Sequence, residues 1–328
     1  MDECGEYVAG FDDADRRLDK VLRIFLPGLP LSAIYGALRR GRILVNKKKA
    51  APSLRLAAGD RISLKGRLVE ERAMLDGREK SRSNENELQL LMPYLVLACR
   101  DILFINKPRG MPSHGPGGLD ILVREALAAR LSNSLSFSPG PLHRLDRNTT
   151  GLIAFPRSAI GARRFTELLR KKTVTKRYLA LLGGSLANME SWVDRLKRIG
   201  STKKTQLSPA GREAKLCVAP LITTDRYSLA LIELETGLTH QIRAQAAAHG
   251  FPLSGDVKYG GLDLRSFQGS VLEGGYVLHA FRLIFKTGIF PDVPLSITAD
   301  LPKDSYTLLK GIFGEKNLEN ALERTKNG

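Results

Sequence analysis

Residues 143–151 read HRLDRNTTG, between a Pro-Gly-Pro turn at 139–141 and the apolar run GLIAFP at 151–156. A charged loop thus leads through an Asn-Thr-Thr-Gly turn into a strand-like run. One acid, Asp146, stands among His143, Arg144 and Arg147. An Asp ahead of a turn ordinarily caps it through its side chain, and arginines in loops ordinarily face water. By itself the loop has a plain structural explanation.

The surrounding chain adds to it. Upstream, YLVLACRDILFINKPRGMPSHGPGG holds two strand-like runs flanking Arg100-Asp101, then a Pro/Gly-rich loop. Downstream, KRYLALLGG, KLCVAPLIT, YSLALIELE and VLHAFRLIF read as strands, and SAIGARRFTELLRKK and THQIRAQAAAHG as helices. This is a mixed α+β pattern, not a regular βαβ repeat. In the last helix Thr239 is the expected N-cap and Gly250 the stop. His240 and Arg243 lie three apart and share a face. Arg243 sits between Ile242 and Ala244, where a guanidinium that becomes buried wants a carboxylate. Tyr178, in KRYLA, follows the basic segment LRKKTVTKR. Spacing alone leaves Arg243 as readily a surface arginine and Tyr178 as readily a core tyrosine.

The whole chain of 328 residues carries 51 Lys and Arg against 34 Asp and Glu, a net charge of +17. Such a field attracts polyanions, with nucleic acid foremost; an anionic membrane surface or acidic partner fits charge alone as well. Between Arg16 and Glu70 there are 14 basic residues and 3 acidic ones. RRLDKVLRIFL has a helical apolar period at Leu18, Val21, Leu22 and Phe25. PLSAIYGALRRG reads as a second helix, with Ser32 as N-cap and Gly41 as stop. Short strands joined by turns follow, one turn at Gly59-Asp60. This arrangement gathers Arg39, Arg40, Arg42, Lys47, Lys48 and Lys49 on one side. A solvated basic face is the ordinary explanation; phosphate contact is the functional one, since such contacts position a protein without reading sequence. Residues 65–92, containing GREKSRSNENE, are too polar to bury a core and read as a linker. The tail from Lys303 onward reads as helical and charged.

Several classes are disfavoured. The start, MDECGEYVAGFDDADRRLDK, is acidic and polar with no apolar core of signal-peptide length, and no apolar run approaches the length of a membrane span. Cys4, Cys99 and Cys217 have neither CxxC spacing nor paired histidines, so no zinc site or disulfide framework is indicated and a cytoplasmic location is expected. GxGxxG after a strand and the P-loop pattern are absent, so no nucleotide cofactor is expected.

RLDKVLRIFLPGLPLSAIYGALRRGRILVNKKKAAPSLRLAAGDRISL, over residues 16–64, resembles the S4 RNA-binding domain. KPRGMPSHG, HRLDRNTTG, KRYLA, TGLTHQIR and GFPLSGDVKYGG, in order over residues 95–285, resemble the RluA-type pseudouridine synthase family. With an S4 domain in front, the chain is most similar to the RluC/RluD-type branch that acts on large-subunit ribosomal RNA. Two departures stand out: Thr150 where the family commonly has Ser, and Leu238 where it commonly has Arg. The second removes a charge near the site and any contact that arginine makes.

The resemblance implies a mostly antiparallel central sheet with surrounding helices, plus a small N-terminal α/β domain. The expected boundaries are 14–70 for the S4 domain, 71–92 for a linker, 93–300 for the catalytic domain and 301–328 for a helical tail. It implies isomerisation of uridine to its C-glycoside without cofactor or metal. It assigns the catalytic carboxylate to Asp146, either attacking C1′ or removing the 2′ proton. It pairs Arg243 with Asp146, lays Tyr178 against the uracil, and gives Arg144 the space a flipped uridine vacates. His143 is expected to hold the loop. His143, Arg144, Arg147, Arg39, Arg40, Arg42, Lys47 and Lys48 are the expected RNA contacts. The implied partner is large-subunit ribosomal RNA of the 23S type, with no membrane, and the expected state is a monomer. Transfer RNA is the alternative substrate. A binding-only assembly factor needs no Asp146–Tyr178–Arg243 set, and a glycoside hydrolase normally wants two acids flanking the bond.

Overall fold

The computed structural model describes residues 4–80, 88–131, 134–202, 204–261, 264, 272 and 275–325. The chain divides into two compact units: Met1–Pro93, Asp120–Gly140 and Phe155–Arg163 form one, and Tyr94–Leu119, Pro141–Ala154 and Arg164–Gly328 the other.

In the first unit, helices α1 (Leu18–Phe25) and α2 (Leu31–Arg39) accompany a sheet of β1 (Cys4–Val8), β2 (Ile43–Val45) and β3 (Arg61–Lys65), ordered β1-β3-β2 and antiparallel. The apolar period of α1 is buried: Leu18, Val21, Leu22 and Phe25 join Ile34, Leu38, Ile43, Ile62 and Leu64 in one core. β1 was not legible in the acidic N-terminal segment. The α2 N-cap is Pro30, not Ser32. Proline locks φ near the helical value, here −66°, while its extended ψ of 152° lets the chain enter the helix at Leu31. Asn46 and Lys47 both have positive φ, so β2 ends in a tight turn that projects Lys47. Arg39, Arg40, Arg42, Lys47, Lys48 and Lys49 are all exposed.

The segment expected as a linker begins as a helix, α3 (Arg67–Lys80). Leu68 is buried in the first core, and the Arg72 guanidinium lies 4.3 Å from the Phe25 ring and donates to the Phe25 carbonyl at 3.0 Å. With Val69 also packed against that core, the start of α3 is anchored past residue 66, where composition suggested a linker. Residues 81–87 of the linker lie outside the described residues. The first unit also takes two stretches expected in the catalytic domain. Asp13 accepts from the Leu135 amide at 2.8 Å and from the Ser134 and Ser136 hydroxyls, and Asp12 accepts from the Ala159 amide at 2.7 Å. These acids satisfy backbone donors far along the chain, which no local pattern announces.

The second unit centres on a mixed sheet. Its strands are β4 (Leu95–Ala98), β5 (Ile102–Lys107), β6 (Thr150–Pro156), β7 (Val174–Gly183), β8 (Glu190–Ile199), β9 (Lys204–Leu207), β10 (Arg212–Thr223), β11 (Tyr227–Leu234), β12 (Leu278–Phe285) and β13 (Ser296–Thr298). The order is β4-β5-β6-β12-β7-β11-β10-β8-β9, with β13 on β12. β7, β11, β10, β8 and β9 pair antiparallel, and β6 and β12 pair parallel. Of the remaining α-helices, α4 (Leu119–Ala126), but for its first residue, and α5 (Ala128–Leu131) fall in the first unit, α6 (Ala159–Arg170) is divided between the two, and α7 (Gln241–Ala248), α8 (Lys303–Phe313) and α9 (Glu315–Arg324) belong to the second.

Strand alternation divides the labour on β7. Leu179 and Leu181 enter a core shared with Leu229, Phe281, Leu308, Leu309, Phe313 and Leu318. The C-terminal tail is therefore a cover for one face of the sheet, carried by apolar residues that its many charges obscured. Lys176 and Tyr178 take the opposite face, and both line the cavity described next.

Candidate functional site

A cavity of about 430 Å3 opens beside β7 and the start of α7, lined among others by His143, Arg144, Asp146, Lys176, Tyr178, Leu238, His240 and Arg243. The loop bearing Asp146 is fastened by its backbone. The Ser113 hydroxyl donates to the Leu145 carbonyl at 2.9 Å and accepts from its amide at 3.1 Å. Lys107, fully buried, donates to the carbonyls of Pro108, Met111 and Arg147, each at 2.9 Å. Burial pushes the Lys107 ammonium down to about 7, against the pull of the Asp146 charge. The loop closes into β6 at Gly151, whose φ is +107° and where any side chain would meet the Ala280 backbone.

Asp146 does not cap its turn through its side chain. Its backbone carbonyl accepts from the Thr149 amide at 3.1 Å, and its carboxylate faces the cavity. Oδ2 meets Arg243 Nη1 at 3.3 Å and lies 3.8 Å from His240 Nε2.

Arg243 reaches this place from α7, but the helix starts differently from expectation. Its N-cap is His240, in the left-handed region at φ 55°, and not Thr239. Gln241 explains the shift: its Oε1 accepts from the Thr236 hydroxyl at 2.8 Å and the Leu238 amide at 3.1 Å. A side-chain amide closes the turn that a threonine hydroxyl was expected to close. The Thr239 carbonyl instead accepts from the Thr205 hydroxyl at 2.8 Å. The guanidinium also has a stronger partner than Asp146. Asp256 accepts from Nε at 2.6 Å and from Nη2 at 2.8 Å, both groups being buried. The rings of Tyr259 and Tyr276 lie 4.9 and 4.7 Å from its central carbon. A paired, stacked arginine is a fixed donor, so its Nη1 has a set direction.

Tyr178 is buried on β7 and lines the cavity. Burial first, and then the Asp146 charge, push its phenol above the ordinary value. His143 stacks on Phe165 at 6.1 Å and accepts from the Ala154 amide at 3.2 Å, so its ring holds the loop to β6. Burial brings it down to about 3, which keeps it neutral. Arg144 is exposed on the cavity lining. Arg147 is exposed too but donates to the Gly110 carbonyl at 2.7 Å and is not among the lining residues. Arg39, Arg40, Arg42, Lys47 and Lys48 belong to the first unit.

The two departures are accommodated. Leu238 packs with Leu196, Ala214, Ala244 and Tyr259. The Thr150 hydroxyl pairs with His279 Nδ1 at 2.8 Å, and His279 Nε2 meets the Ala299 carbonyl at 3.1 Å. Sequence reasoning assigned no role to Lys107, Lys176, Asp256 or Tyr259. Lys107, Asp256 and Tyr259 lie within KPRG and GDVKYGG, and Lys176 opens KRYLA. Nothing local marked any of them as a neighbour of Asp146.

No described helix is long and apolar enough to cross a membrane, and no described cluster of His, Cys, Asp and Glu could hold a metal ion.

The family model for RNA pseudouridylate synthase matches residues 101–248, and that for the S4 domain residues 16–62. "Ribosomal large subunit pseudouridine synthase C" of Escherichia coli K12 is 31% identical over 289 residues, covering 84% of this chain and 86% of that one. The protein of that name from Pasteurella multocida is 30% identical over 322 residues, covering 93% of each. In fold, the solved structure titled "Human RNA Pseudouridylate Synthase Domain Containing 4" superposes with a TM-score of 0.54 at 22% identity, covering 70% of this chain and 97% of that one. A cavity built around one oriented carboxylate, in a chain with this extent of similarity, leads to one assignment: the protein belongs to the RNA pseudouridylate synthase family and carries an N-terminal S4 domain.

Proposed function

We propose that this protein isomerises specific uridines of large-subunit ribosomal RNA, of the 23S type, to pseudouridine, with Asp146 as the catalytic carboxylate. The observation that carries the reading is the placement of Asp146: it faces the cavity, is addressed by the fixed Arg243 at 3.3 Å, and shares the lining with Tyr178. The target class is supported by relatives named for the ribosomal large subunit at 30–31% identity over most of both chains, and by the S4 match.

The reaction breaks the C1′–N1 bond, turns the base and joins C5 to C1′. C5 then loses its proton. No electrons leave the nucleotide and no second substrate enters, so the chemistry needs no cofactor. The uridine must leave its stack to reach the cavity, and Arg144 at the rim fills the space it vacates. Asp146 acts as an anion, at C1′ or at the 2′ proton, and Arg243 holds its direction. Tyr178 lies against the uracil and takes part in moving the C5 proton. The exposed cations of the S4 domain add salt-sensitive grip on RNA. The working state is a cytoplasmic monomer.

The test is pseudouridine mapping of ribosomal RNA from cells lacking the protein, restored with wild type or Asp146→Asn. Large-subunit sites that vanish and return only with wild type are the expected result. An unchanged ribosomal map overturns the target; the same mapping on transfer RNA then separates a synthase with another substrate from a binding protein.

A further inference from the structure

His240 Nε2 stands 3.8 Å from the same Asp146 oxygen, Oδ2, that Arg243 Nη1 reaches at 3.3 Å. Among the described residues Oδ1 has no hydrogen bond or ion pair. The other side of the histidine is held too. His240 Nδ1 meets the Tyr259 hydroxyl at 2.9 Å, and that hydroxyl accepts from the Thr205 amide at 2.9 Å. With one lone pair taken by an amide that only donates, the hydroxyl keeps its proton to give, and giving it to Nδ1 is the arrangement that leaves the ring hydrogen on Nε2. Tyr259 is itself fixed: its ring packs edge-on to His240 at 5.7 Å and lies against Arg243. His240 holds a left-handed backbone at the point where the loop becomes α7, an uncommon conformation that clusters at working sites.

We propose that His240 is a positioning residue for the isomerisation: with Arg243 it addresses Oδ2 of Asp146, which leaves Oδ1 as the oxygen presented to the ribose. This rests on the reading of Asp146 as the catalytic carboxylate. At 3.8 Å the histidine contact is longer than a hydrogen bond, and a movement of about 1 Å closes it when RNA fills the cavity. The chain Thr205–Tyr259–His240 thus does for one carboxylate oxygen what Asp256 does through Arg243: it aims a donor. The charged groups around His240 are Asp146 and Asp256, which favour its protonated form, and Arg243 and Lys258, which oppose it; burial outweighs them and keeps the ring neutral.

The experiment is tritium release from 5-tritiated uridine in ribosomal RNA taken from cells lacking the protein. It uses purified full-length wild type, His240→Asn, Tyr259→Phe and Asp146→Asn, each checked for wild-type folding by thermal unfolding. Asparagine tolerates the left-handed backbone but is too short to reach Oδ2. The expected result for His240→Asn is a kcat at least about tenfold lower with KM within about twofold, the mark of a lost transition-state interaction. Tyr259→Phe keeps the ring but removes the proton that sets the tautomer. Its defect is expected to shrink as pH falls below the ordinary histidine value, since burial lowers His240 and protonation then places a hydrogen on Nε2; a purely structural defect has no such pH rescue. Wild-type kcat in His240→Asn beside an inactive Asp146→Asn overturns the proposal and leaves the catalytic reading standing. Full tritium release by Asp146→Asn overturns the catalytic reading and the proposal with it. A pH-independent Tyr259→Phe defect overturns the tautomer step.

Discussion

Arg243 holds Asp256 through two hydrogen bonds, from Nε at 2.6 Å and Nη2 at 2.8 Å, and turns Nη1 to Asp146 at 3.3 Å. The structural ion pair and the functional contact are thus made by one guanidinium. The buried charge is compensated by Asp256, and that compensation leaves Nη1 free to aim a carboxylate without being consumed by it.

The Asp256 partnership has a direct consequence. Asp256→Ala leaves a buried guanidinium without its bidentate partner, a loss on the order of 3–5 kcal/mol. Asp256→Asn keeps an acceptor and costs less. Urea unfolding at neutral pH measures both, and Asp256→Ala is expected to lose activity even where enough folded protein remains to assay.

Tyr178→Phe removes only the hydroxyl from a ring that lines the cavity on β7. Stability is expected to change by less than about 1 kcal/mol, because the ring and its packing remain. Activity is expected to fall by about 100-fold or more if the phenol moves the C5 proton. Tritium release against RNA-binding affinity separates the two: binding is expected to stay near the wild-type value.

Acid is expected to destabilise the protein through two neutral histidines. Burial brings His143 down to about 3 and His279 down to about 4, from an ordinary value near 6.5. Between those values the unfolded chain binds protons that the folded chain refuses, so stability falls as pH drops from about 6.5 towards 4. Each group contributes about 1.4 kcal/mol per pH unit over its window as an upper bound. Urea midpoints between pH 7 and pH 4 test this; a His279→Gln variant is expected to show a shallower slope over the same range.

Salt dependence addresses the S4 cations. Arg40→Ala and Lys47→Ala remove exposed charges from the end of α2 and the turn after β2. Each is expected to weaken RNA binding uniformly across sequences and to reduce the slope of log K against log salt by about one. Filter binding from about 50 to 200 mM salt reads the slope.

The segments with strong periodicity were legible. The Leu18-Val21-Leu22-Phe25 stripe became a buried helix face, and GLIAFP, KRYLALLGG and YSLALIELE became β6, β7 and β11. β8 and β9, which hold Thr205 over the start of α7, were not assigned: their alternation includes Arg195, Lys197 and Arg198, and reads as a polar stretch. The helix at Arg67–Lys80 was hidden in the same way, since the contacts that anchor its start, from Leu68, Val69 and Arg72, are made to a core formed elsewhere.

At the site, the sequence by itself determined the chemistry available: one carboxylate in a charged loop, a tyrosine on a strand, an arginine in an apolar helix. These follow from residue type and local spacing, which reach only a few residues along the chain. Tertiary structure decided which oxygen of Asp146 is held and by whom. Arg243 comes from 97 residues away, and Asp256 and Tyr259 steady it from a turn beyond α7. Hydrogen bonds and buried ion pairs act over about 3 Å in space, and no pattern along the chain encodes that distance.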